Sequence, residues 1–96
     1  MLTRSWSSLA LLDFDQAQSY IAADNPAAAR RVAERIRNAV RLLQKNPGMG
    51  RQADVPDTRI WVVPSTPYLI AYRVRAPILE IVRLWHSSRD WQHADD

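Results

Sequence analysis

Two apolar stripes of identical spacing, separated by one break, constrain this chain more than any other feature. Ala10, Phe14, Ala17 and Ile21 follow one another at intervals of four, three and four residues, and Val32, Ile36, Ala39 and Leu43 repeat those intervals. At about 100° per residue, each set lands on one side of an α-helix and needs a surface to pack against. Between the stripes stands Asp24-Asn25-Pro26. Asn25 carries a capping side chain, and Pro26 suits the first helical position, where a missing N–H removes nothing the helix uses. The spacing therefore predicts helices over Leu9–Ala23 and from Pro26 to about Lys45, folded back on each other as an antiparallel hairpin. Ser7 or Ser8 offers the first helix a cap oxygen. Ala28, Ala29 and Val40 flank the second stripe, and small residues near its start permit close packing.

The outer sides of these helices carry the first candidates for function. Leu12 projects opposite the first stripe and Leu11 lies off to one side. A single exposed leucine is ordinary, but two adjacent ones on the outside of a helix suggest a partner surface. The second helix turns Arg30, Glu34, Arg37, Arg41 and Lys45 outward, a pattern shared by solvated helix faces and by sites for acidic partners. Twelve of the thirteen cations are arginine, and only Lys45 is lysine. Arginine favours planar contact with carboxylate or phosphate, though a GC-rich genome produces the same bias.

The remaining residues read as strands. Leu2–Trp6 alternates apolar and polar residues and predicts a short first strand. Asn46-Pro47-Gly48-Met49-Gly50-Arg51 breaks the second helix, and a loop through Pro56 follows. Thr58–Val63 predicts a strand with Ile60 and Val62 on one face and Arg59, Trp61 and Val63 on the other. After the turn Pro64-Ser65-Thr66-Pro67 come two runs rich in aromatic and β-branched residues, Tyr68–Val74 and Ile78–Trp85. Arg75-Ala76-Pro77 joins them as an antiparallel hairpin. Regular alternation along the last strand places Ile78, Glu80, Val82, Leu84 and His86 on one face and Leu79, Ile81, Arg83 and Trp85 on the other. The order strand, helix, helix, strand, strand, strand describes an α+β fold, a helix hairpin packed on a small, mostly antiparallel sheet. Ninety-six residues suffice for one domain, 1–96, with one hydrophobic core. The absence of cysteine excludes disulfides, thiolate metal sites and a cysteine nucleophile. Neither metal nor cofactor is expected. With no leader-like N-terminus and no apolar run of membrane-spanning length, the expected location is cytoplasmic, without a membrane partner.

Taken in order, these pieces resemble the RelE/ParE superfamily of bacterial type II toxin-antitoxin toxins over nearly the whole chain. The resemblance is carried by Asp13-Phe14 and Tyr20-Ile21, Asp24-Asn25-Pro26-Ala27-Ala28-Ala29, Asn46-Pro47-Gly48-Met49-Gly50-Arg51 and Thr58-Arg59. Pro67-Tyr68, Tyr72-Arg73-Val74, and Ile81-Val82-Arg83 closing with His86 and Arg89 complete it. The set is closer to the ParE branch than to the RelE branch. It implies a cognate antitoxin partner whose C-terminal segment wraps the toxin, and DNA gyrase as a target inhibited by binding rather than turnover. On this reading Leu11, Leu12, Arg30, Arg37 and Arg41 meet the antitoxin, while Arg59, Trp61, Arg73, Arg83 and Trp85 are candidates for a target surface.

The alternative is the RelE-like activity, ribosome-dependent mRNA cleavage. Attack of a 2′-hydroxyl on the adjacent phosphate needs cations around the phosphorane and a group that moves protons. In RelE-like toxins these come from the strand matching Ile60–Val63, the residue after the tyrosine matching Tyr68, and a segment just beyond the last strand. Here Ile60, Val62 and Leu69 occupy positions where cations are expected, and the downstream tyrosine is missing. Arg89 remains basic. His86 keeps the enzymatic alternative open as a proton carrier, with Arg89, Arg73 or Arg59 as the cation. Against it, His86 and Arg89 also suit a capped strand end. Trp61, Trp85 and Trp91 read either as base-stacking groups or as core and antitoxin contacts.

Overall fold

The computed structural model of the chain describes residues 1–88. In chain order its elements are β1 (Thr3–Trp6), α1 (Ser8–Ala22), α2 (Pro26–Lys45), β2 (Arg51–Gln52), β3 (Arg59–Val62), β4 (Tyr68–Arg75) and β5 (Ile78–His86). The strands form one sheet in the order β1-β5-β4-β3-β2. β1 runs parallel to β5, and every other neighbouring pair is antiparallel. The expected α+β architecture is therefore present.

Both helix starts follow from their capping side chains. Ser7 Oγ accepts the Ala10 N–H at 3.0 Å and donates to the Val82 carbonyl at 2.7 Å, so one hydroxyl starts α1 and fastens it to β5. Asn25 Oδ1 accepts the Ala28 N–H at 3.0 Å, with Pro26 opening α2. Asn46 closes α2, its backbone N–H and side-chain amide both donating to the Leu42 carbonyl. The helices then lay their stripes on the sheet. Ala10 and Ala17 from α1 and Ile36, Ala39, Val40 and Leu43 from α2 bury themselves against Tyr68, Ile70, Tyr72, Leu79, Ile81 and Leu84. Burying each of the larger aliphatic side chains stabilises the fold by roughly 1.5–3 kcal/mol.

Regular alternation fails on β5. The β4–β5 register pairs Ala71 with Arg83 but Tyr72 with Ile81, leaving Val82 as an extra residue on β5. Such a bulge shifts the phase of the pleat. Leu79 and Ile81 therefore share the core with Leu84, from which plain alternation would have separated them. His86 joins this side, opposite Tyr68, and Trp85 lies opposite Leu69 on the other. A second difference lies in the loop expected through Pro56, where Arg51 and Gln52 pair with Ile60 and Arg59 as the edge strand β2.

Tyr72 fastens the turn after α2 to the sheet. Its hydroxyl donates to the Pro47 carbonyl and accepts the Gly50 N–H, both at 2.8 Å. A Cβ at Gly50 would stand 2.5 Å from that hydroxyl, so the turn needs glycine for space. Burial raises the Tyr72 pKa above the ordinary tyrosine value; the Gly50 hydrogen bond and the Arg59 charge pull more weakly the other way. Among the described residues, no helix is long and apolar enough to cross a membrane.

Candidate functional site

The helix hairpin presents its outer residues as expected. Leu11 and Leu12 are 53% and 50% exposed, and Arg30, Arg37 and Arg41 all face solvent. The structure brings only some of them together. Leu11, Arg37 and Arg41 line a half-open cavity of about 190 Å³, joined by Arg4, Trp6, Phe14 and Val40. Leu12 and Arg30 lie outside it. Trp6 and Phe14 form its aromatic wall, with ring centroids 5.2 Å apart. The Arg37 guanidinium sits 5.3 Å from the Phe14 centroid, in cation–π range. Arg41 donates to the Asn38 side chain, and Arg4 donates to the Gln44 side-chain oxygen Oε1 at 3.4 Å. Gln44, itself buried, donates to the Leu2 carbonyl at 2.8 Å and so holds the start of β1 on α2.

Sequence reasoning missed Arg4, Trp6, Phe14 and Val40 as parts of this surface. One signal was present: Arg4 and Trp6 are two apart on β1 and therefore share a face. What the sequence withheld was the parallel pairing of β1 with β5, which sets that strand beside the helices.

The five residues expected at a target surface do not form one. Arg59 and Trp61 pair across from Tyr72 and Ile70, on the helix side of the sheet. Arg59 donates to the Gly50 carbonyl at 2.7 Å. Trp61 packs on the core, its buried indole N–H without a hydrogen-bond partner. Arg73 is ion-paired with Glu80 across the β4–β5 ladder, on the opposite face. Arg83, at the bulge, clamps Asp13 through two bonds of 2.8 and 3.1 Å, and its guanidinium lies 6.0 Å from the Trp85 ring centroid. Asp13 also accepts the Leu84 N–H at 3.0 Å. The α1 carboxylate thus meets an amide of β5 beyond the reach of β1, whose pairing stops at Ile81.

At the end of β5, His86 packs edge-on against Tyr68, with ring centroids 5.3 Å apart. Its Nδ1 accepts the Ser88 N–H at 3.2 Å and lies 3.0 Å from Ser88 Oγ. Arg89 and Trp91 lie outside the described residues. Ile60 pairs with Ala71 and Val62 with Leu69, so the three positions where RelE-like catalysis expects cations share one aliphatic face. No group of three or more metal-ligating side chains occurs among the described residues.

Comparison with known proteins adds a consistent set of likenesses. The family model described as "ParE toxin of type II toxin-antitoxin system, parDE" matches residues 5–91. A protein of Sinorhizobium fredii named as a candidate toxin, Y4kP, is 37% identical over 86 residues, covering 90% of this chain and 88% of that protein. The toxin RelE2 of Caulobacter vibrioides is 37% identical over 84 residues, covering 88% and 93%. A solved structure described as the chromosomal ParDE TA system from P. aeruginosa superposes with a TM-score of 0.79 at 27% identity, covering 90% of this chain and 96% of the other.

Proposed function

We propose a function from one premise: this chain belongs to the ParE toxin family of type II toxin-antitoxin systems. It acts by binding its target, DNA gyrase, and a cognate antitoxin neutralises it. The observation that supports binding over turnover is that Ile60, Val62 and Leu69 stand where RelE-like catalysis expects cations, while Arg73 and Arg83 on the same face are engaged by Glu80 and Asp13. Aliphatic side chains cannot stabilise the charge that develops on a phosphorane. The likeness to a ParDE system supports an antitoxin partner. So do the exposed leucines of α1, the arginines of α2 and the position of β1 as the outermost of the described strands, where a partner strand can add.

Expression without an antitoxin should arrest growth, and the purified chain should inhibit DNA supercoiling by gyrase. Full supercoiling in the presence of excess folded chain would contradict the target. The likeness to a protein named RelE2 keeps a second reading in view, mRNA cleavage with His86 and Arg89. Purified translating ribosomes separate the two. Site-specific cleavage abolished by His86→Ala would replace the gyrase reading, whereas His86→Ala that leaves growth arrest intact agrees with it.

A further inference from the structure

Three arginines surround the cavity between β1, α1 and α2, and each rests on a neutral group. Arg37 lies over Phe14, Arg41 holds Asn38, and Arg4 touches Gln44. Among the described residues no carboxylate lines the cavity, and the ion pairs involve Arg73 and Arg83 rather than these three. Guanidiniums held this way keep their orientation but retain uncompensated charge, which favours bidentate contact with an incoming carboxylate.

The remaining lining is apolar: Trp6, Leu11, Phe14 and Val40. A volume of about 190 Å³ falls short of the roughly 300–1,000 Å³ of small-molecule sites. It is the scale of one large side chain. Arg4 and Trp6 make β1, the outermost of the described strands, part of its wall. Thr3 and Ser7 direct their N–H groups to β5, so the backbone groups of Arg4, a residue of the cavity wall, point away from β5 along the outer edge of the described sheet.

The geometry points to an anchor pocket for the antitoxin: it takes one aromatic or large aliphatic side chain, and Arg4, Arg37 and Arg41 bind carboxylates on either side of that residue. This rests on the toxin-antitoxin reading and narrows it. Leu12 and Arg30 lie outside the pocket, while Arg4, on a different element from the arginines of α2, is part of it. Apolar burial supplies attraction without register, and the three charges fix which residue of the segment enters.

The test has two arms. In the first, the isotope-labelled full chain is titrated with the synthetic tripeptide acetyl-Asp-Phe-Asp-amide, and the indole N–H of Trp6 is followed by NMR. A saturable shift at millimolar peptide is expected, weakened about tenfold or more by Arg37→Glu with Arg41→Glu. It should also weaken in high salt and be absent with acetyl-Lys-Phe-Lys-amide. Arg35→Glu, the same charge change on a solvent-facing position of α2 outside the cavity, should leave it unchanged. No saturable shift, or equal binding of the lysine peptide, overturns the proposal. In the second arm, the antitoxin that restores growth on co-expression is titrated with the same variants. Arg37→Glu with Arg41→Glu should weaken that complex about tenfold or more, and Arg35→Glu should not. A complex indifferent to Arg37 and Arg41 leaves the toxin-antitoxin reading standing and removes the pocket. If no antitoxin rescues growth, both fall, including the assignment of any peptide binding to an antitoxin.

Discussion

At the level of single residues, stability concentrates where one side chain satisfies several backbone groups. Tyr72→Phe leaves the Pro47 carbonyl and the Gly50 N–H without their partner in a buried setting. The expected cost is about 1–3 kcal/mol, measured by urea denaturation. The same variant has a signature in pH. Because burial raises the Tyr72 pKa, an unfolded tyrosine ionises near its ordinary 10.0 while the folded one keeps its proton. Stability from this group is thus complete below pH 10 and declines as pH rises toward the folded value. The alkaline decline should be shallower in Tyr72→Phe than in the parent chain. Asp13→Ala removes the acceptor for both Arg83 and the Leu84 N–H. The Arg83 side chain is 36% exposed, so solvent screens part of its attraction; a loss of about 1–3 kcal/mol is expected. Asp13→Asn should recover part of that loss by retaining an acceptor for Leu84.

At the level of elements, the two helix starts differ in a way that stability measurements can resolve. Asn25 only caps, and Asn25→Ala should cost about 1 kcal/mol in thermal unfolding. Ser7→Ala should cost more, because the hydroxyl also donates to Val82. Equal losses would mean that the bond to β5 contributes nothing. The helices were legible in the sequence because their stripes, their break at Asp24–Pro26 and their caps are all local signals. Four of the five described strands were legible for the same reason, each starting within one residue of its expected position. The bulge at Val82 was not, since Ile78–Trp85 is apolar on both faces and period-two counting has nothing to mark an extra residue. β2 was hidden by its length, as two residues carry no pattern. The candidate site was half legible: Leu11, Arg37 and Arg41 announce themselves on helical wheels, but Arg4 and Trp6 join them only through the β1–β5 pairing. Asp13 stood out only as part of the family pattern, its structural role hidden because its partners lie some seventy residues away.

For the molecule as a whole, the decisive contacts join the two ends of the described chain. Among the described residues β1 has no strand partner except β5, and α1 is fastened to β5 through Ser7 and Asp13. A fragment ending at Pro77 should therefore keep helical circular dichroism yet lose a cooperative thermal transition. A sharp transition in that fragment would show that the hairpin and β3–β4 form a core of their own. The parallel pairing of the first strand with the last also bears on how the protein is made. A ribosome delivers residues in order, so β1 emerges early and waits while everything up to its pairing segment Ile78–Ile81 is still being added. Until then the first strand is unpaired and the cavity beside it lacks a fixed wall. A growing chain is accordingly a poor match for any partner that reads the finished surface, and the cell that synthesises it meets a competent toxin only after β5 has left the ribosome.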